Sequence, residues 1–157
     1  MAYGNGTVAV AESPAPAVSA WQELSEQAIV LMDELDNAHA HFVIAMKATY
    51  DAKVAADKVE QDYNDFLAEK KVELMFGDEF RSNKDAQKNA ETRSAWMDWA
   101  LLNERKHGEL GVLFDEWQEA KRAFEAAKVN EEAARRMVHA IQYKIDLTSS
   151  RIRGVQA

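Results

Sequence analysis

The sequence contains no cysteine, which excludes a disulfide framework, a thiolate zinc site and a cysteine nucleophile, and nothing in it points to an oxidising compartment. Proline is almost as scarce: Pro14 and Pro16 are the only two, both in the opening segment "MAYGNGTVAVAESPAPAV". That segment, residues 1–18, also holds two of the six glycines and reads as an extended arm without a core of its own. From Ser19 to Phe76 there is neither glycine nor proline, so nothing in that span interrupts a helix. No apolar run approaches the length that a bilayer span requires, and the N terminus has no basic stretch followed by an apolar one. The expectation is a cytoplasmic protein without a membrane segment. A Gly-rich phosphate loop after a strand and a nucleophile elbow are missing as well, so an enzyme is not expected.

What is present is charge and helical rhythm. The 157 residues suit one domain, and 27 acidic against 19 basic side chains leave a net charge of −8. Such a balance repels nucleic acid and anionic membrane at long range and favours solubility or a basic partner. The excess is local. Residues 21–66 hold ten carboxylates against Lys47, Lys53 and Lys58, whereas 67–107 and 108–157 each balance eight against eight.

Apolar or small residues between Ser19 and Phe76 recur with alternating gaps of three and four: Trp21, Leu24, Ala28, Leu31, Leu35, Ala38, Phe42, Ala45, Thr49, Ala52, Ala56, Val59, Tyr63, Phe66. That is a heptad seam. A breaker region, "GDEFRSNKD", follows over 77–85, and the rhythm resumes through Trp96, Trp99, Asn103, Lys106, Leu110, Leu113, Trp117 and onward to Ile152. The pattern predicts an all-α chain: a helix over 19–76, a turn over 77–85, and a second helix over 86–152 folding back as a long antiparallel coiled-coil hairpin. Folding about a centre near Arg81 sets Ala38 opposite Phe124, Phe42 opposite Ala120 and Ala45 opposite Trp117, so that large repeatedly meets small. The same register brings Tyr63 to Trp99 and Phe66 to Trp96. It sets Ala56 and Val59 against the polar positions Lys106 and Asn103, and Arg135 and Arg136 near Glu26 and Glu23.

One seam cannot cover everything. Ile29, Met32, Val43, Met46 and Tyr50 form a second apolar stripe, with Val30 and Ile44 on a further side and Leu101, Val112 and Phe114 on the second helix. Ile145, Leu147 and Ile152 run past the start of the first helix in that register, where Val8, Val10 and Val18 of the arm are candidates to cover them. Burial of apolar surface is the main driving force available, so a homo-oligomer, foremost a dimeric four-helix bundle, is expected. Gly108 and Gly111 mark either a break in the second helix or a weak spot within it.

Two short patterns bear on metal chemistry. Glu104 with His107 and Asp36 with His39 have the (i, i+3) carboxylate–histidine spacing of bundle di-metal sites. The expected register keeps the pairs apart and no further inward Glu completes a site, so solvated histidines are expected, with no metal and no cofactor. The turn is more suggestive. Arg81, Lys84, Lys88 and Arg93 lie at the tip and the first turns of the second helix, with Lys70 and Lys71 across the loop and Asn83 or Asn89 as the N-cap. Together Lys70, Lys71, Arg81, Lys84, Lys88, Asn89 and Arg93 are a candidate anion- or partner-binding set. Asp78, Glu79, Asp85 and Glu91 are interleaved, however, and a solvated mixed-charge turn is the competing reading.

The stretch "KNAETRSAW", set between two long helices, resembles a class of small phage- and prophage-encoded coiled-coil proteins with a central G-K-N-A-E-x-R-like segment. The likeness spans roughly residues 45–140 in layout, with Lys88, Asn89, Ala90, Glu91 and Arg93 matching the motif and Gln87 standing where a glycine is expected. Proteins of that class are often encoded near recombination or replication genes, generally without an assigned activity. The resemblance implies a phage accessory protein; the residues read as a non-enzymatic, oligomeric coiled coil in the host cytoplasm that uses its acidic flank or its tip to bind a protein partner, a recombination or replication factor or a host defence component. Two alternatives stand beside it: a nucleic-acid-binding accessory protein using the basic tip, and a virion structural or assembly component.

Overall fold

The computed structural model describes the backbone of residues 15–157 and the side chains from Ser19 onward. Four helices follow one another: α1 (Ala15–Phe76), α2 (Asp78–Ser82), α3 (Ala90–His107) and α4 (Glu109–Gln156). No strand occurs among the described residues. The fold is all-α, with α4 packed back along α1 as a hairpin. The first helix begins at Ala15, inside the segment expected to be an arm; the rest of that arm, with Val8 and Val10, and the side chain of Val18 lie outside the described residues.

Helix α1 runs for 62 residues because no glycine or proline interrupts it after Pro16, and it stops at Gly77. Its expected seam is the face it buries: every member from Leu24 to Phe66 is buried or half-buried, and Trp21 alone is exposed. Exposed pairs one turn apart, Lys47 with Asp51 and Lys53 with Asp57, decorate the outer side, where solvent screening leaves them little weight in stability.

The chain divides into two compact units, one formed by α1 up to Phe42 with Ala134–Ala157, the other by Val43–Ala133. In the first unit Leu31, Ala38, Val138 and Ile141 form the core, with Leu35, Phe42 and Ile145 packed against it. The place expected for Phe124 opposite Ala38 is therefore taken by Val138 and Ile141, a correction of about two heptads. Arg135 stands with its guanidinium 5.8 Å from the Phe42 ring, not at the acidic start of α1. The C-terminal stretch is largely covered: Ile145 joins the core, Thr148 is buried and Ile152 half-buried, while Leu147 stays exposed as expected.

In the second unit the same displacement holds. Thr49, whose hydroxyl lies 3.1 Å from the carbonyl of Ala127 on α4, is partnered fourteen residues beyond the expected position 113. Tyr63 stacks on Trp117, with centroids 5.4 Å apart and planes 18° from parallel, and meets Phe114 at 5.8 Å. Trp96 packs on Phe80, 4.9 Å between centroids, and Trp99 is left mostly exposed. The pairings Tyr63–Trp99 and Phe66–Trp96 are thus replaced. A heptad pattern repeats every seven residues, so slipping one helix by fourteen returns the same seam positions to the interface. The rhythm cannot distinguish the two registers.

The second helix is not continuous. Gly108 breaks it, with an extended backbone (φ −122°, ψ −175°) and an N–H that donates to the carbonyl of Glu104 at 2.7 Å. The break changes the phase of the buried face. Before it, Thr92, Trp96, Ala100 and Glu104 turn inward; after it, Leu110, Leu113, Trp117 and Ala120 do. Asn103 and Lys106, expected on the seam, are exposed. An unbroken helix in phase with α4 would have carried an amide and an ammonium into the interface, which costs free energy unless both are paired. Leu110, immediately past the break, is the most buried side chain described, at 0% exposure.

Candidate functional site

The turn is longer than expected, extending to Asn89, and is held by its own side chains. Gln87 donates from Nε2 to the carbonyls of Phe80 and Arg81, at 2.7 and 2.8 Å, closing the C-terminal end of α2. Asn83 accepts from the N–H of Ala86 at 3.0 Å, a bond inside the turn and not the N-cap of α3. The N-cap is Asn89. Its side chain accepts from Thr92 N–H at 2.9 Å, and Thr92 Oγ1 accepts from Asn89 N–H at 3.1 Å, a capping box with threonine in the reciprocal role. The residues of the "QKNAET" segment are therefore used largely to build the turn and start α3.

That changes the candidate set residue by residue. Asn89 is consumed as a cap. Lys70, half-buried on α1, hydrogen-bonds Glu73 at 3.0 Å and lies 3.7 Å from Glu104 of α3. The hydrogen bond to Glu73, with the charges of Glu104 and Glu73 behind it, raises its pKa above the ordinary 10.5 against the opposing effect of burial. Lys70 is a structural cation. Arg81 in α2 and Lys84 and Lys88 in the loop are exposed. Lys71 and Arg93 are brought together: both line a groove of about 400 Å³ whose other walls are Met75, Phe80, Ala90, Ser94, Met97 and Asp98. A neighbouring groove of about 220 Å³ shares Lys71 and Asp98 and continues past Leu67, Leu101, Leu102, Arg105 and Leu110.

The apolar half of this groove was missed in the sequence, although a signal was there. Phe80 is an aromatic in an otherwise polar breaker region, and a lone aromatic in a turn has to pack on something; here it packs on Trp96. Met75 and Met97 carried no such signal.

The carboxylate–histidine pairs do not converge on a metal site. Glu104 faces Lys70, whereas His107, Asp36 and His39 are exposed, and no three His, Asp or Glu side chains come together among the described residues. No described helix is long and apolar enough to cross a membrane. No protein-family model matches the chain, and no curated protein or solved structure matches it either.

Proposed function

We propose that the chain is a non-enzymatic helical-hairpin interaction protein of the phage accessory type, working as a homodimer that binds a protein partner. The observation that supports this reading is the apolar surface left uncovered. Among the described residues ten apolar side chains are buried, but twenty large ones are exposed. In the Val43–Ala133 unit the exposed ones include a stripe at helical spacing along α1: Val43 (63% exposed), Met46 and Tyr50 (67%), with Ile44 and Val54 beside it. Scattered apolar side chains are ordinary on a surface, but a stripe one helix face wide is what a further helix covers. Burying a Val or Met side chain fully contributes roughly 1.5–3 kcal/mol, so a few such positions at a two-fold contact suffice for association.

Sedimentation equilibrium tests the reading. The wild-type chain is expected to be a dimer, and Val43→Glu with Met46→Glu to be a monomer of unchanged helicity. A wild-type chain that stays monomeric up to about 100 μM, where an interface of ordinary size is filled, ends the dimer reading.

A second reading, nucleic-acid binding at the tip, rests on the exposed Arg81, Lys84 and Lys88 beside the groove cations Lys71 and Arg93. It requires an electrophoretic shift of DNA that weakens steeply with salt, and it fails if no shift occurs at low salt.

A further inference from the structure

We propose that the groove between the end of α1 and the start of α3 is the partner-docking site, and that its occupant is a short acidic, amphipathic segment of the partner protein. The inference deepens the partner-binding reading above and rests on it.

The chemistry of the walls selects the occupant. Met75, Phe80 and Met97 present an apolar floor, and methionine suits a surface that must adapt to apolar side chains of varied shape. Lys71 and Arg93 stand on the same walls, and neither lies within ion-pairing distance of a carboxylate among the described residues. Two unpaired cations beside an apolar floor complement a ligand that alternates carboxylates with apolar side chains. A nucleic-acid strand fits less well. Asp98 lines the same groove, and the chain's net charge of −8 opposes a dense polyanion while tolerating one or two carboxylates. A volume of about 400 Å³ falls in the range that holds a few side chains of a bound segment.

The test uses fluorescence anisotropy of a labelled peptide of about twelve residues, glutamates and leucines at helical spacing, titrated with the full-length protein. Three comparison probes accompany it: the same peptide with lysine for glutamate, an all-glutamate peptide, and a single-stranded oligonucleotide. Saturable binding of the acidic amphipathic peptide alone is expected. Lys71→Glu and Arg93→Glu should each weaken it about tenfold or more, and Met97→Asp should do so without changing the circular dichroism spectrum. Equal binding to the variants overturns the proposal, as does the absence of saturation. So does an oligonucleotide or all-glutamate peptide that binds as tightly, since that marks a polyanion surface. Sedimentation of the same samples separates the two readings: a dimer that ignores the peptide defeats the groove alone, whereas a monomer that binds it defeats the dimer alone.

Discussion

Replacing Gly111 by alanine sets sequence and structure against each other with opposite signs. From the sequence, a glycine within a helix is a weak spot, and alanine should stabilise the chain by roughly 1 kcal/mol. In the structure the added methyl group would lie 2.1 Å from the carbonyl oxygen of Arg105, on the far side of the break, where ordinary contact begins near 3.4 Å. The obstacle is backbone, so relief requires α4 to move away from α3 by more than an ångström. That motion drags Leu110 from full burial and disturbs Arg105, whose guanidinium donates to the Tyr63 hydroxyl at 2.8 Å and sits 4.4 Å over Phe114. Overpacking of this kind costs about 1–3 kcal/mol and the loosened contacts add to it. After the propensity gain the net destabilisation is about 2 kcal/mol, a fall in Tm of roughly 4–8 °C for a chain of this size. Gly108→Ala is the comparison: its methyl meets the Glu104 carboxylate at 2.6 Å and the Glu104 carbonyl oxygen at 3.0 Å; the carboxylate can swing aside at the expense of its 3.7 Å approach to Lys70, and the backbone angles suit any residue, so the cost is smaller than at Gly111, about 1 kcal/mol. At Gly154 nothing lies within 4 Å, and alanine is expected to be neutral or slightly stabilising. Thermal melts followed by circular dichroism rank the three. A Gly111→Ala chain that melts above wild type would show that α3 and α4 are one continuous helix and that the break is not there.

Three further outcomes follow from the packing. Leu110→Ala, at the most buried position described, should cost about 3 kcal/mol in urea unfolding, and a cost under 1 would mean that the site collapses freely. Asn89→Ala removes the cap of α3 and should cost about 1 kcal/mol, largely restored by Asn89→Ser or Asn89→Asp; equal losses in all three would argue against capping. For Lys70 the sign is set by its raised pKa: its favourable contribution is complete below about 10.5 and is lost as pH climbs through the folded-state value. The stability difference between wild type and Lys70→Met should therefore shrink above that pH, and a difference that grows there would contradict the pairing with Glu73 and Glu104.

The architecture was legible because helices and their buried faces are local properties. The absence of breakers between Ser19 and Phe76, and the three-four spacing from Leu24 to Phe66, depend only on neighbours within a turn or two, and the structure buries that face. The surplus apolar stripe at Val43, Met46 and Tyr50 was equally readable, since a single seam cannot hide two stripes.

Register, by contrast, is a choice between long-range alternatives, and the heptad repeat makes those alternatives nearly equivalent. Matching large to small side chains pointed to Ala38 with Phe124, yet Val138 and Ile141 meet Ala38 equally well in kind. The decision falls to the turn, where Gln87, Asn83 and the Asn89–Thr92 box lengthen the reversal, and to the break at Gly108, which turns Asn103 and Lys106 outward. The candidate site follows the same division. That cations crowd the turn is written in the sequence; that Lys70 is spent on Glu73 and Glu104, Asn89 on a cap, and that Lys71 and Arg93 share a groove with Met75, Phe80 and Met97 was decided only when α1 and α3 packed together.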